Sequence, residues 1–183
     1  MNAEIDLTNV ILNTKRLTLR LFRLEDLDDF YEYASVPGVG EMAGWPYHKN
    51  KDESLMILNR FIDNKRTFAI VYNNKVIGSL GIEAYDEDKY PEFDDKLGRS
   101  IGYVLSKDYW GLGLMPEAVK EVIRYCFEEL KLDFLESGHF LFNKQSASVL
   151  EKCGFMFYRE DKLNRFGEEI DSRRLILINN RHR

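Results

Sequence analysis

One feature limits the possible folds of this chain more than any other: a predicted strand that leads into a glycine-rich turn and then into a helix. Residues 99–105 lead into Trp110-Gly111-Leu112-Gly113-Leu114-Met115-Pro116, and apolar residues then recur at helical spacing as far as residue 130. Pro116 suits a first helical turn, where a missing N–H has no cost. Two glycines one residue apart leave N–H groups uncovered beside the positive helix end, which fits a diphosphate pocket and, taken alone, fits a merely tight turn equally well.

Other nucleotide-binding motifs fit this turn less well. A P-loop needs Gly-Lys-Ser/Thr, which is absent, and a Rossmann fingerprint needs a third glycine where this chain has Met115 and Pro116. A second candidate site opens a short predicted helix with Asn143-Lys144-Gln145-Ser146 and ends it at Gly154. On its own, this second segment is better explained by an ordinary asparagine N-cap.

The remaining periodicity predicts one mixed α/β domain over residues 1–183. Alternating leucines at 17, 19 and 21 indicate a strand, and Asn73-Asn74 joins two further predicted strands as a hairpin. Further strands are predicted at 134–141, 155–159 and 170–178, and helices at 24–34, 52–63 and 143–152. This order predicts a mixed sheet with helices on both faces.

Composition narrows the class of partner. The formal net charge of −5 argues against nucleic-acid binding, and it fits either a cationic substrate or plain solubility. Cys126 and Cys153 lie far apart among apolar residues, which indicates free thiols in a reducing compartment. Glu4 and Asp6 are unlike a signal peptide, and no apolar run approaches a membrane span. We therefore expect a cytoplasmic monomer or homodimer with no membrane partner and, given scattered histidines, no metal.

Three ordered motifs resemble the GNAT superfamily, and within it the RimJ/RimL-like branch of ribosomal-protein N-terminal acetyltransferases. The family's Gln/Arg-x-x-Gly-x-Gly/Ala motif has Trp110, Gly113 and Met115 at its marked places, and residues 109–113 match the branch's Tyr-Trp-Gly-x-Gly. Asn143 and Ser146 match Asn-x-x-Ser, and residues 151–155 match Glu-Lys-x-Gly-Phe. Residues 14–20 match the branch's opening, Thr-x-Arg-Leu-x-Leu-Arg.

The resemblance implies a seven-stranded, mostly antiparallel mixed sheet that splays between its fourth and fifth strands. Acetyl-CoA would lie in that gap, and its acetyl group would pass directly to a primary amine on a peptide or small molecule. Ser146 would protonate the departing thiolate and Asn143 would hold the pantetheine. The resemblance further implies cofactor contacts along the strand and the glycine turn, at Val104, Leu105, Trp110, Gly111, Leu112, Gly113, Leu114 and Met115.

One position departs from the family pattern. Ser100 stands where many relatives carry the glutamate that is proposed as general base. The base must then be another group, such as Glu83 or Glu41, or water. The resemblance also implies an acceptor pocket near Trp45, Tyr47 and Phe166. The departure keeps open an alternative function, a CoA-binding sensor or interaction module that no longer catalyses.

Overall fold

A computed structural model describes residues 1–180 and has an eight-stranded sheet at its centre. The sheet order is β1-β2-β3-β4-β5-β6-β8-β7, and only β5 and β6 pair in parallel among its neighbours. The strands are β1 (Leu12–Asn13), β2 (Leu17–Leu21), β3 (Thr67–Tyr72), β4 (Lys75–Glu83), β5 (Gly98–Leu105), β6 (Phe134–Phe140), β7 (Met156–Arg165) and β8 (Glu168–Ile178). The helices are α1 (Leu27–Ala34), α2 (Lys51–Asn64), α3 (Leu114–Glu128) and α4 (Lys144–Lys152).

The gap predicted between the fourth and fifth strands lies between β5 and β6. These strands pair only from Gly98 to Ser100, and the ladder ends where Ser100 faces Glu136. Beyond that point Ser137 Oγ spans the opening to donate to the Ile101 carbonyl at 2.8 Å. The mixed, splayed sheet is confirmed, with eight strands rather than seven because the two-residue β1 extends its edge.

The two faces of β5 pack against different helices. Ile101 and Leu105 lie in one core cluster with the apolar stripe of α3, whereas Val104 lies in a second cluster with residues of α1 and α2. Because side chains alternate along a strand, Ser100 and Gly102 share the face of Val104. The gap therefore connects a side covered by α3 and α4 to a side covered by α1 and α2.

Both hairpin turns adopt left-handed backbone conformations. Asn73 and Asn74 have φ angles of 48° and 63°, and they join β3 to β4 as the sequence predicts. Phe166 and Gly167, with φ angles of 58° and 79°, join β7 to β8. Two-residue turns with positive φ match the right-handed twist of strands, so both hairpins form without splaying.

Two elements differ in extent from the sequence prediction. β7 runs from Met156 to Arg165 and not only over residues 155–159, because its outer half is polar and pairs through exposed side chains such as Lys162 and Glu169, 2.9 Å apart. A hydrophobic pattern does not reveal such a ribbon. The helix predicted from residue 24 begins as a single 3₁₀ turn, Leu24–Asp26, before α1. Within residues 1–180, no helix is long and apolar enough to cross a membrane.

Candidate active site

A cleft of about 610 Å³ occupies the gap between β5 and β6. Most residues that the sequence assigns to the cofactor and to catalysis meet here, although they come from β5, the glycine turn, α3 and α4. The predicted residues that line the cleft are Ser100, Val104, Leu105, Trp110, Gly111, Gly113, Leu114, Met115, Asn143 and Ser146. Leu112 is the exception in the glycine turn, because its side chain is exposed.

The glycine turn has the form of an anion cradle. Gly111 and Gly113 have φ angles of 78° and 73°, a left-handed conformation that favours glycine, and helix α3 begins directly after Gly113. A Cβ placed on Gly111 would meet nothing within 4 Å, so the space beside it is open. Arg16 supports the turn from outside by donating to the Leu112 carbonyl at 3.0 Å. Open amides at a helix N-terminus suit the diphosphate of CoA.

The backbone edge of β5 offers hydrogen bonds to whatever lies in the gap. Ser106 donates to Ile77 on β4 at 2.8 Å, and the β4–β5 register continues without interruption. Since antiparallel residues alternate in the direction of their N–H and C=O groups, those of Val104 face β4 and those of Tyr103 and Leu105 face the gap. Val104 therefore lines the cleft with its side chain, and the backbone groups toward the gap belong to Tyr103 and Leu105.

One of these backbone groups is already used. Trp110 Nε1 donates to the Leu105 carbonyl at 2.8 Å, which anchors the glycine turn to the end of β5. Together with the Ile101 carbonyl, which accepts from Ser137, this contact leaves the Tyr103 N–H and C=O and the Leu105 N–H toward the gap. These groups can pair with a linear amide chain such as a pantetheine arm.

Asn143 and Ser146 are arranged by the start of α4. Asn143 Oδ1 accepts from the Ser146 backbone N–H at 3.0 Å, so the asparagine is the N-cap and the serine hydroxyl is not needed for capping. Asn143 Nδ2 donates to the Met42 carbonyl at 3.0 Å. The same side chain thus ties α4 to the loop at residues 37–47, a contact that the sequence motif does not reveal.

Tyr103 contacts Ser146 inside the cleft, and the sequence reasoning did not single it out as a functional residue. Its Oη lies 3.0 Å from Ser146 Oγ and 3.3 Å from the Ser146 carbonyl. Burial raises the pKa of Tyr103, and the hydrogen bond with Ser146 opposes this only in part. The phenol therefore stays protonated and can donate to Ser146 Oγ, which frees the serine proton for another acceptor. The alternation of side chains along β5 is the only sequence signal that places Tyr103 on the side of the sheet covered by α4.

Ser100 and Glu83 face each other across the β4–β5 ladder, but only Ser100 lines the cleft. The Glu83 side chain is exposed and accepts from Thr67 Oγ1 at 3.4 Å, at the end of the strand beyond the cleft. Glu41 accepts from the Gly38 N–H at 2.8 Å and is also outside the cleft lining. The structure thus brings neither carboxylate that the sequence offers as a base into the lining.

The predicted acceptor aromatics do not line the cleft either. Trp45 packs against Gly40 and lies 5.2 Å from the His48 ring, which makes it part of the local packing of its loop. Tyr47 and Phe166 are 41% and 51% exposed. The residues that line this side come from the same loop and from β6, namely Val39, Met42, Ala43 and Phe140. Within one loop, sequence cannot distinguish inward-facing residues from those that pack locally.

The charge of the cleft is one-sided. Five basic residues and a histidine line it, and no aspartate or glutamate does so within residues 1–180. These are His139, Lys144, Lys152, Arg165, Arg173 and Arg174. His139 Nδ1 lies 2.9 Å from the Phe140 carbonyl, which only accepts, so Nδ1 carries a proton and Nε2 of the neutral ring is a proton acceptor.

The two cysteines are free thiols that do not line the cleft. Burial raises the pKa of Cys126 to about 12 and that of Cys153 to about 11, so neither is a thiolate at neutral pH. Residues 1–180 contain no group of three histidine, cysteine or acidic side chains that could hold a metal.

Comparison with known proteins identifies the family of this chain. Residues 16–156 match the acetyltransferase (GNAT) domain family. The N-acetyltransferase p20 of Bacillus licheniformis is 32% identical over 152 residues, which cover 79% of this chain and 81% of that protein.

Solved structures share the fold at lower identity. A GNAT-family acetyltransferase from Bacillus anthracis superposes with a TM-score of 0.82 at 20% identity, over 93% of this chain and 99% of the other. RimL, the ribosomal L7/L12 α-N-protein acetyltransferase solved with coenzyme A, has a TM-score of 0.76 at 16% identity, over 92% and 97%. The predicted family is confirmed, and this chain belongs to the GNAT acetyltransferases.

Proposed function

We propose that this enzyme transfers an acetyl group from acetyl-CoA directly to a primary amine, and that peptide α-amines are its preferred acceptors. The observation that carries the proposal is the placement of Asn143, Ser146 and Tyr103 in one cleft with the glycine turn. RimL, which shares the fold, has been solved with coenzyme A and acts on a protein α-amine by its description.

The donor would lie across the gap, with its diphosphate at Gly111 and Gly113 and its pantetheine arm along the β5 edge. Lys144 and Lys152 on α4 also line the cleft and can neutralise phosphate charge. When bound, acetyl-CoA supplies the activated acyl group. The Tyr103 and Leu105 N–H groups toward the gap are donors that can stabilise negative charge on the acyl oxygen.

Ser146 would give its proton to the departing sulfur while Tyr103 donates a hydrogen bond to Ser146 Oγ, and water would return a proton to the serine. This arrangement of hydrogen bonds requires that the Tyr103 phenol keep its proton. Because burial raises the pKa of Tyr103, the phenol is protonated at neutral pH. The positions of the two thiols support transfer without a covalent cysteine intermediate. Neither Cys126 nor Cys153 lines the cleft, and both are protonated at neutral pH.

The lack of a carboxylate base in the cleft lining of residues 1–180 determines which class of amine reacts most readily. A peptide α-amine with a pKa of about 8 is neutral in roughly one molecule in ten at pH 7, whereas a lysine near 10.4 is neutral less than once in about a thousand. Deprotonation therefore costs about 1 kcal/mol for the α-amine and about 4 to 5 kcal/mol for lysine. With no acidic residue in the cleft lining of residues 1–180, the amine proton would pass to water or to Nε2 of His139, and an amine that is already partly neutral is favoured.

A pair of matched peptides tests this proposal. One peptide has a free α-amine and no lysine. The other has an acetylated N-terminus and a single lysine in an otherwise identical sequence. Thiol release from acetyl-CoA should be faster with the first peptide, by at least 10-fold in kcat/KM. Faster release with the lysine peptide would contradict the α-amine assignment. Release with neither peptide or any other amine, together with CoA binding, would instead support the non-catalytic sensor.

A further inference from the structure

We propose that the preferred acceptor carries a carboxylate close to its amine, and that Arg165 binds this carboxylate at the acceptor end of the cleft. The inference rests on the proposed acetyl transfer and adds a substrate class to it. It starts from the one-sided charge of the cleft, where five basic residues line the walls without an acidic one among residues 1–180.

Two of the five basic side chains already have carboxylate partners in the fold. Arg174 lies 2.9 Å from Glu136 and 3.3 Å from Asp161, and Arg173 lies 3.6 Å from Glu160. Two more, Lys144 and Lys152, belong to α4 on the donor side. Arg165 remains, and within residues 1–180 no carboxylate pairs with it. The one hydrogen bond of its side chain in that part of the chain goes from Nη1 to the adjacent carbonyl of Asn164, at 2.8 Å.

Arg165 also lies on the opposite side of the sheet from the glycine turn. A Cβ on Gly44 would stand 3.1 Å from Arg165 Nε and 3.3 Å from Phe140 Cζ, so these three residues meet at one point. Phe140 alternates with His139 along β6 and shares the face of Glu136, away from α3. CoA phosphates at the start of α3 therefore leave the Arg165 guanidinium without an anion.

The surroundings of Arg165 suit the binding of a carboxylate group. Arg165 is exposed, and the apolar side chains of Met42, Phe140 and Leu163 line the cleft with it, so that water covers an ion contact there only in part. The guanidinium presents a planar fork that matches the two oxygens of a carboxylate. An acceptor with several positive charges, such as a polyamine, would instead be repelled by Arg165, which has no carboxylate partner within residues 1–180.

Three tripeptides that share an alanine with a free N-terminal α-amine test the inference. The first has uncharged side chains and an amidated C-terminus. The second has aspartate at its second position and an amidated C-terminus, and the third has uncharged side chains and a free C-terminal carboxylate. The first is called the uncharged peptide below. In the wild type, at least one carboxylate peptide should exceed the uncharged peptide about 10-fold in kcat/KM, measured by thiol release at low salt. The preference should shrink as salt is added, because the contact is partly exposed.

Variants assign the preference to one side chain. Arg165→Gln should lower kcat/KM for the preferred carboxylate peptide far more than for the uncharged peptide, so that the about 10-fold preference is lost. Arg165→Lys should give an intermediate preference, since it keeps the charge and loses the fork. Arg60→Gln removes an exposed charge from α2 outside the cleft lining and should preserve the full preference.

Two results would overturn the inference alone: equal kcat/KM for all three peptides in the wild type, or an unchanged preference in Arg165→Gln. Thiol release with none of the peptides and no other amine would overturn the proposed acetyl transfer as well. The two failures are thus distinguished by whether the uncharged peptide is acetylated.

Discussion

The Tyr103 and Ser146 hydroxyl oxygens lie 3.0 Å apart, on two elements that are 43 residues apart in sequence. One side chain comes from the strand edge that faces the gap and the other from the first turn of α4. Their contact links the strand expected to bind the donor to the residue expected to protonate its leaving group. The arrangement makes a proton available at the cleft without any charged acid.

Ser146→Ala removes the proposed acid and little else. Because Asn143 Oδ1 binds the Ser146 backbone N–H and not its hydroxyl, the helix cap persists in the variant. We expect kcat to fall by about 10²- to 10³-fold, as for loss of one acid–base group, with a nearly unchanged melting temperature and acetyl-CoA KM. Ser146→Thr retains a hydroxyl and should retain more activity. A kcat within a factor of two of the wild type in Ser146→Ala would remove the serine from the mechanism.

Asn143 is expected to have two separable roles. Asn143→Ala loses the cap and should cost about 1 kcal/mol of stability. Asn143→Asp keeps an acceptor for the Ser146 N–H but places a carboxylate against the Met42 carbonyl, so the loop at residues 37–47 loses its tie to α4. We expect Asn143→Asp to raise the acceptor KM with a smaller loss of stability than Asn143→Ala. Steady-state kinetics and thermal melts check this, and equal acceptor KM values for Asn143→Asp and wild type would contradict it.

Two glycines with the same backbone conformation provide a matched test of the diphosphate site. Gly111 and Gly167 have φ angles of 78° and 79°, and an added Cβ would meet nothing within 4 Å at either position. Alanine therefore imposes a similar backbone strain at both, of about 1 kcal/mol. Only at Gly111 should the methyl group collide with bound CoA.

We accordingly expect CoA to raise the melting temperature of wild type and Gly167→Ala, by selective binding to the folded state, and to raise that of Gly111→Ala much less. Thermal melts of the three proteins over a range of CoA concentrations make the comparison. Equal CoA-induced shifts in the two alanine variants would place the diphosphate elsewhere.

His48 should make the fold sensitive to mild acid. Burial lowers the pKa of His48, and the nearby Glu53 opposes this only in part. The ring packs against Phe30 at 5.4 Å, and Nδ1 contacts Ser54 Oγ at 2.7 Å. Because the folded pKa lies below the unfolded value near 6.5, the unfolded chain binds the proton more readily. Stability is then full above pH 6.5 and declines as pH falls below it.

The matched variant is His48→Gln, which keeps a polar partner for Ser54 and does not titrate. Between pH 7.5 and pH 5, the melting temperature of the wild type should fall more than that of His48→Gln. Parallel curves for the two proteins would mean that His48 does not contribute to the acid sensitivity.

The sequence predicts the sheet and the donor side well because both depend on local patterns. The alternation in β2, the asparagine turn between β3 and β4, and the glycine turn before α3 each have a periodicity or a backbone requirement that only a few residues satisfy. The gap between β5 and β6 came from the family resemblance, and the short β5–β6 ladder confirms it.

The acceptor side is harder to predict, because it depends on contacts between distant segments. The hydrogen bond from Asn143 to Met42 joins residues 101 apart, and Arg165 meets Gly44 only because a polar hairpin folds back over the loop. Trp45 and Tyr47 are the loop aromatics that are expected near the acceptor pocket. The cleft is instead lined by Met42 and Ala43 from the same loop. No residue type in that loop signals which side chains face inward.

The most direct test of the central claim follows the acetyl group through one turnover by mass spectrometry. The enzyme is mixed with one equivalent of acetyl-CoA, and a peptide with a free α-amine is added afterwards. Direct transfer predicts that the mass of the enzyme stays constant throughout and that the acetyl group appears on the peptide α-amine once the peptide is present. Acetylation of the enzyme before peptide addition, or acetyl-CoA that stays intact with the peptide and with other amines, would contradict the account.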